Sequence, residues 1–101
     1  MFGFGKIRSI SADELADKLK QNKTQLLDVR EPGEYARGHI KGSRNLPVGQ
    51  IEAFTAPENT KVYVICQSGA RSKKAYKTLE KKGFDVTNVK GGMMAWREKT
   101  V

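Results

Sequence analysis

Apolar residues come along this chain in short bursts, and their spacing alternates between the period of a strand and that of a helix. Ile7 to Ile10 reads as a first strand. Ser11 with Glu14 three residues later makes a capping box, and Asp13 and Glu14 sit where a helix N-terminus favours negative charge. The helix that follows carries Leu15 and Leu19 on one face and fades by Asn22. Gln25 to Val29 reads as a buried strand. Glu31, Pro32, Gly33 and Glu34 open a short helix, because proline fits a first helical turn, and Gly38 stops it. From there to Pro57 the pattern is weakest. Ile40 and Leu46 are its anchors, Gly42 and Pro47 punctuate an irregular connection or short strand, and Ile51, Ala53 and Phe54 suggest a brief helix.

The second half is clearer. Lys61 to Ile65 is β-branched and aromatic without alternation, the mark of a strand buried on both faces at the centre of a parallel sheet. From Ser72 the pattern is helical, with Ala75, Tyr76 and Leu79 inward and lysines outward, and Gly83 with Phe84 makes a C-terminal cap. Val86 to Val89 is a last strand. After Gly91 and Gly92, which serve backbone conformation, a short helix carries Met94, Ala95 and Trp96, read as core. Strands alternating with helices predict an α/β fold, a small parallel central sheet with helices on both faces. Ligands in such sheets bind outside the carboxyl ends of the strands.

Length and composition narrow this. At 101 residues, 38% hydrophobic and 30% charged, the chain suits one domain spanning 1–101, with residues 1–6 expected as a loosely held tail. It could equally be one module of a longer protein. MFGFGKIRS lacks the apolar core of a signal peptide, and no apolar run approaches the roughly 18 residues a membrane helix needs. The single cysteine, Cys66, cannot form an intramolecular disulfide, and no Cys/His pairs have metal-ligand spacing, so no metal or cofactor is expected. A lone thiol suits a reducing compartment, and the expectation is a cytoplasmic protein.

Net charge is +8 and uneven: residues 1–70 carry 10 basic and 8 acidic side chains, residues 71–101 carry 9 and 3. Such a surface attracts anionic small molecules or acidic proteins. RNA-binding aromatic motifs, zinc-finger spacings and basic heptads are absent, which argues against nucleic acid.

The basic half begins just after CQSGARS, residues 66–72, the stretch between the most apolar strand and the longest helical pattern. A strand end, a glycine-containing turn and a helix start together form a cradle of backbone N–H groups. The amides of Gln67, Ser68, Gly69, Ala70, Arg71 and Ser72 can converge on the Cys66 sulfur, and Arg71 can return to the mouth of the loop as a positive fork. A helix N-terminus and a cation both lower a thiol's pKa, making Cys66 a candidate nucleophile. Lys73 and Lys74, read as lying in the first helical turn, oppose the helix dipole, and the compensation would be a field drawing anions to Cys66. Screened surface lysines are the plain alternative.

Three stretches, LLDVREPGEYARGHIKGSRNLP, VICQSGARS and VTNVKGGMMAW, resemble in order and spacing the signatures of a single-domain rhodanese-like sulfurtransferase, across nearly the whole chain. The resemblance implies that the Cys66 thiolate takes the outer sulfur of thiosulfate or another small anionic sulfane donor. The sulfur is held as a persulfide and passed to an acceptor thiol or cyanide. It also implies that the amides of Gln67 to Ser72 hold the outer sulfur and that Arg71 binds the donor's anionic end. Related phosphatases and arsenate reductases place five residues between cysteine and arginine. Here there are four, Gln67 to Ala70, a smaller ring that suits one sulfur atom. Three readings stand: an active sulfurtransferase, a non-enzymatic module that accepts persulfide or docks on an acidic partner through the lysine-rich helix, and an oxyanion or phosphoester enzyme.

His39, the only histidine, lies between two glycines in GHIKGS and reads as a hydrogen-bonding scaffold residue rather than a base. The resemblance also implies that Asp28 and Arg30 fix the sheet edge near the loop through hydrogen bonds and charge pairing, with contact to substrate as the lesser alternative, and Tyr76 reads as packing.

Overall fold

The computed structural model describes residues 6–101, and within that range the alternation of periods becomes an alternating chain of strands and helices. The strands are β1 (Ser9–Ile10), β2 (Thr24–Asp28), β3 (Arg44–Asn45), β4 (Lys61–Ile65) and β5 (Asp85–Val89). The helices are α1 (Ala12–Lys18), α2 (Pro32–Ala36), α3 (Ala70–Lys81) and α4 (Gly92–Ala95), with a 3-10 helix over Val48–Ala53. Five parallel strands form one sheet in the order β1-β5-β4-β2-β3, so β4 is its middle strand.

Successive side chains of a strand face opposite sides, and the sheet separates the core accordingly. Leu27, Val62, Val64 and Val86 pack with Ala75, Tyr76 and Leu79 of α3 and with Ile51 and Phe54. Leu26, Tyr63, Ile65 and Val89 pack with Ala12 and Leu15 of α1 and Ile40. The apolar run of β4 is thus buried on both faces. The parity that sends Val62 and Val64 toward α3 also sends Cys66 there.

Local signals hold where the chain caps itself. Ser11 and Glu14 exchange both capping-box bonds at 3.0 Å. At the end of α3 the Phe84 amide reaches the Leu79 carbonyl at 3.1 Å, and the Phe84 ring packs against Phe54. Other expectations shift. The first strand is two residues rather than four, because β1 is an edge strand that pairs with β5 only at Asn88 and Val89, and the Arg8 amide goes to the Tyr76 hydroxyl. Helix α3 starts at Ala70, not Ser72. Met94 is not core: it is 73% exposed, whereas Trp96 is half-buried against the α1 side. Of the expected tail, residues 1–5 lie outside the described residues, and Lys6 is exposed. No helix among the described residues is long and apolar enough to cross a membrane.

Candidate functional site

The carboxyl end of β4 delivers Cys66 into the ring made by Gln67, Ser68 and Gly69 and the first turn of α3. Gly69 precedes α3 with φ of +125°, a conformation closed to residues with a Cβ, and it reverses the chain tightly enough to bring the helix start back over the sulfur. The Gly69 amide donates to Cys66 Sγ at 3.0 Å and the Ser72 amide at 3.3 Å. Ser72 Oγ lies 3.4 Å from the sulfur and 3.0 Å from the Gly69 carbonyl, so its single proton can go to the carbonyl beside a thiol, which then donates to Oγ, or turn to the sulfur of a thiolate. Cys66 is 1% exposed and Ser72 is fully buried, while Gln67, Ser68 and Ala70 form an exposed rim.

Burial pushes the Cys66 thiol up. The Ser72 hydroxyl and the amides of Ser72, Gly69 and Ser68 pull it down, and the net displacement is below the ordinary thiol value. Of the six amides from Gln67 to Ser72, those of Gly69 and Ser72 bond the sulfur and that of Ser68 contributes to lowering its pKa, while those of Gln67, Ala70 and Arg71 form no bond to it. The Ser72 hydroxyl is the contribution that residue spacing did not announce.

Arg71 is oriented by α2. Its two terminal nitrogens bond the two carboxylate oxygens of Glu34 at 2.5 and 2.9 Å, so the guanidinium bridges α3 to α2. The Arg71 fork, with a bond from the Glu31 amide at 2.9 Å, holds the Glu34 carboxyl at about 2. Because α3 starts at Ala70, Lys73 and Lys74 fall past the first turn, where the dipole penalty has faded. Arg71 is the cation inside that turn, and Glu34 neutralises it.

Two further supports brace the loop. Arg30 grips Asp28 through Nε at 2.9 Å and a terminal nitrogen at 2.7 Å, a buried pair that also donates to the Gly38 carbonyl at 2.8 Å and approaches Gln67 at 3.4 Å. This matches the reading of Asp28 and Arg30 as a fixing pair. On the other side, the Met93 amide donates to the Cys66 carbonyl at 2.8 Å and the Met94 amide to the Gln67 carbonyl at 3.1 Å. Gly92 lets that turn come so close. His39 stacks on Tyr35 at 3.7 Å, and its Nδ1 donates to the Tyr35 carbonyl at 2.8 Å, a scaffold arrangement.

A strand-end cysteine whose sulfur sits in a ring of amides on a small parallel sheet defines a class, and the comparisons name it. The chain belongs to the rhodanese-like domain family, which matches residues 11–99. It is similar to the Bacillus subtilis (strain 168) protein YrkF, with 41% identity over 93% of this chain and 53% of the relative. It is also similar to thiosulfate sulfurtransferase GlpE of Pseudomonas paraeruginosa, 36% identical over 85% of this chain and 81% of that protein. Among solved structures, the rhodanese-related protein of Thermoplasma volcanium superposes with a TM-score of 0.84 at 33% identity, covering 93% of this chain and 97% of that one. The chain spans about half the length of YrkF, 53%.

Proposed function

We propose that this protein is a sulfurtransferase that carries a sulfane sulfur on Cys66. The sulfur comes from thiosulfate or a related persulfide or polysulfide and goes to a thiol or to cyanide. The observation that carries the reading is the pair of amide bonds to Cys66 Sγ, at 3.0 Å from Gly69 and 3.3 Å from Ser72, which stabilise a thiolate with no general base and no cation bonded to the sulfur. In the first step the thiolate attacks the outer sulfur of thiosulfate. A Cys66 sulfur–sulfur bond forms, the donor's own sulfur–sulfur bond breaks, and sulfite leaves with the electron pair. In the second step an acceptor thiolate attacks the outer sulfur of the persulfide, and Cys66 leaves as thiolate. The loop amides from Gln67 to Ser72 hold the outer sulfur between the steps.

The four-residue spacing to Arg71 makes a ring smaller than the five-residue one of the related oxyanion and phosphoester enzymes, which argues against that chemistry. A working thiol of this kind fits a reducing cytoplasm. Lys73, Lys74, Lys77 and Lys81 are exposed along α3 and form no ion pair among the described residues, which favours an acidic protein as a partner.

Incubation with thiosulfate followed by intact-mass measurement tests the reading. One sulfur, about 32 Da, should be gained on Cys66 and lost on adding a thiol. A verified free thiol that gains no sulfur would refute it and favour a docking module, whose signature is salt-sensitive partner binding without turnover.

A further inference from the structure

Beside the loop lies a cavity of about 440 Å³ that the chemistry above does not use, walled by Arg30, Glu34, Arg37, Gly38, Gln67 and Thr100. It borders the reactive loop at two points, through Gln67, which directly follows Cys66, and through Glu34, the residue that holds Arg71. None of its wall side chains is a hydrocarbon, so its occupant is polar. Its volume falls in the range of small-molecule sites and is generous for a single inorganic anion.

The charges of the wall decide what kind of polar molecule fits. Arg30 is compensated by Asp28, and Glu34 by Arg71. Arg37 is exposed and forms no ion pair among the described residues, and residues 1–5 contain no acid. Its backbone is fixed at the end of α2, where its amide reaches the Glu34 carbonyl at 3.2 Å. The cavity therefore presents one uncompensated guanidinium close to the sulfur-bearing loop.

We propose that Arg37 and this cavity bind the carboxylate of a small acidic thiol, the acceptor that relieves Cys66 of its sulfur, which makes Arg37 a specificity-determining residue. This rests on the sulfur-transfer reading above. The bound thiolate attacks the outer sulfur of the Cys66 persulfide, the Cys66 sulfur–sulfur bond breaks, and Cys66 leaves as thiolate. The products are the acceptor's persulfide and the resting protein, with no oxidant or reductant consumed. The carboxylate stays on the Arg37 fork throughout.

The test loads Cys66 with thiosulfate, removes the excess, and follows single-turnover discharge by mercaptosuccinate and by neutral 2-mercaptoethanol. In Arg37→Gln the ratio of the two rates should fall about fivefold, the size of one exposed ion pair, and Arg37→Lys should restore part of it. A merely structural role would slow both acceptors alike, so an unchanged ratio overturns the proposal. Methylthiosuccinate, which cannot accept sulfur, supplies an independent readout. In a titration it should shift the amide resonances of Gly38, Gln67 and Thr100 in the unmodified protein and leave them unmoved in Arg37→Gln. No shift there in the unmodified protein overturns the site, whereas failure of Cys66 to load overturns the sulfur-transfer reading alone.

Discussion

Replacing Gly92 by alanine tests what holds the reactive loop in shape. Gly92 has φ of +59°, and a Cβ placed on it would lie 2.4 Å from the Cys66 carbonyl oxygen and 2.6 Å from that of Gln67. Alanine in the left-handed conformation costs about 1 kcal/mol. The overlap is with backbone, which cannot swing away as a side-chain tip can. The turn must retreat, stretching the Met93 and Met94 hydrogen bonds of 2.8 and 3.1 Å, each worth about 1 kcal/mol. The sum is about 3 kcal/mol, and in a domain of this size each kcal/mol moves Tm by about 4–8 °C, so Tm should fall by about 12–24 °C. Gly42→Ala isolates the strain, since Gly42 has φ of +88° with nothing within 4 Å of its added Cβ, and it should cost about 1 kcal/mol. Gly33→Ala, with neither strain nor contact, should change stability by less than about 0.5 kcal/mol. Thermal and urea unfolding of the three variants decide the matter. The pH profile of Cys66 alkylation should also move upward in Gly92→Ala as the amide ring loosens. If Gly92→Ala unfolds together with Gly42→Ala, close approach to the loop is not what the glycine provides.

Two other perturbations address the site directly. Ser72→Ala removes the hydroxyl 3.4 Å from the sulfur, so the midpoint of Cys66 alkylation should rise and persulfide loading near neutral pH should slow. An unmoved midpoint would mean the amides alone hold the thiolate. Glu34 has its carboxyl depressed from 4.5 to about 2 in the folded protein, so its contribution is fully present above about pH 4.5 and lost as pH falls toward 2. The partly exposed pair with Arg71 should make Glu34→Gln less stable by under about 1 kcal/mol at neutral pH, the gap closing across that window. A pH-independent gap in denaturant titrations would refute the pair as its source.

Much of this was written in local sequence. The apolar run Val62 to Ile65 gave β4 its double burial, and one cysteine after it, then glycine and arginine, located the loop. Ser11 and Glu14, or Gly83 and Phe84, are legible because capping residues act within a single turn. Less readable were contacts between distant positions. Glu34 and Arg71 stand 37 residues apart, and no periodicity links a carboxylate in one helix to a guanidinium in another. That pairing sets the orientation of the Arg71 fork, which its position in the loop does not reveal. Met94 misled because hydrophobicity alone marked it as core, while its amide is what the fold uses. Two adjacent glycines mark Gly91 and Gly92 as backbone residues, yet only the fold shows what the second one approaches. Cavities are harder still, since the walls around Arg37 come from three separate stretches of chain, at residues 30–38, 67 and 100.

The tie between the Met93 and Met94 amides and the loop carbonyls also bears on the order in which a growing chain acquires its chemistry. Cys66 is made before β5 and before the turn at Gly91 and Gly92, which lies 26 positions beyond it at Gly92. Until that turn exists, the carbonyls of Cys66 and Gln67 lack these partners and β4 lacks the neighbour that pairs with it from Lys61 to Val64. The amides of Gly69 and Ser72 that reach the sulfur are thus encoded within seven residues of it, whereas the anchoring of the two loop carbonyls waits for a turn 26 positions further on.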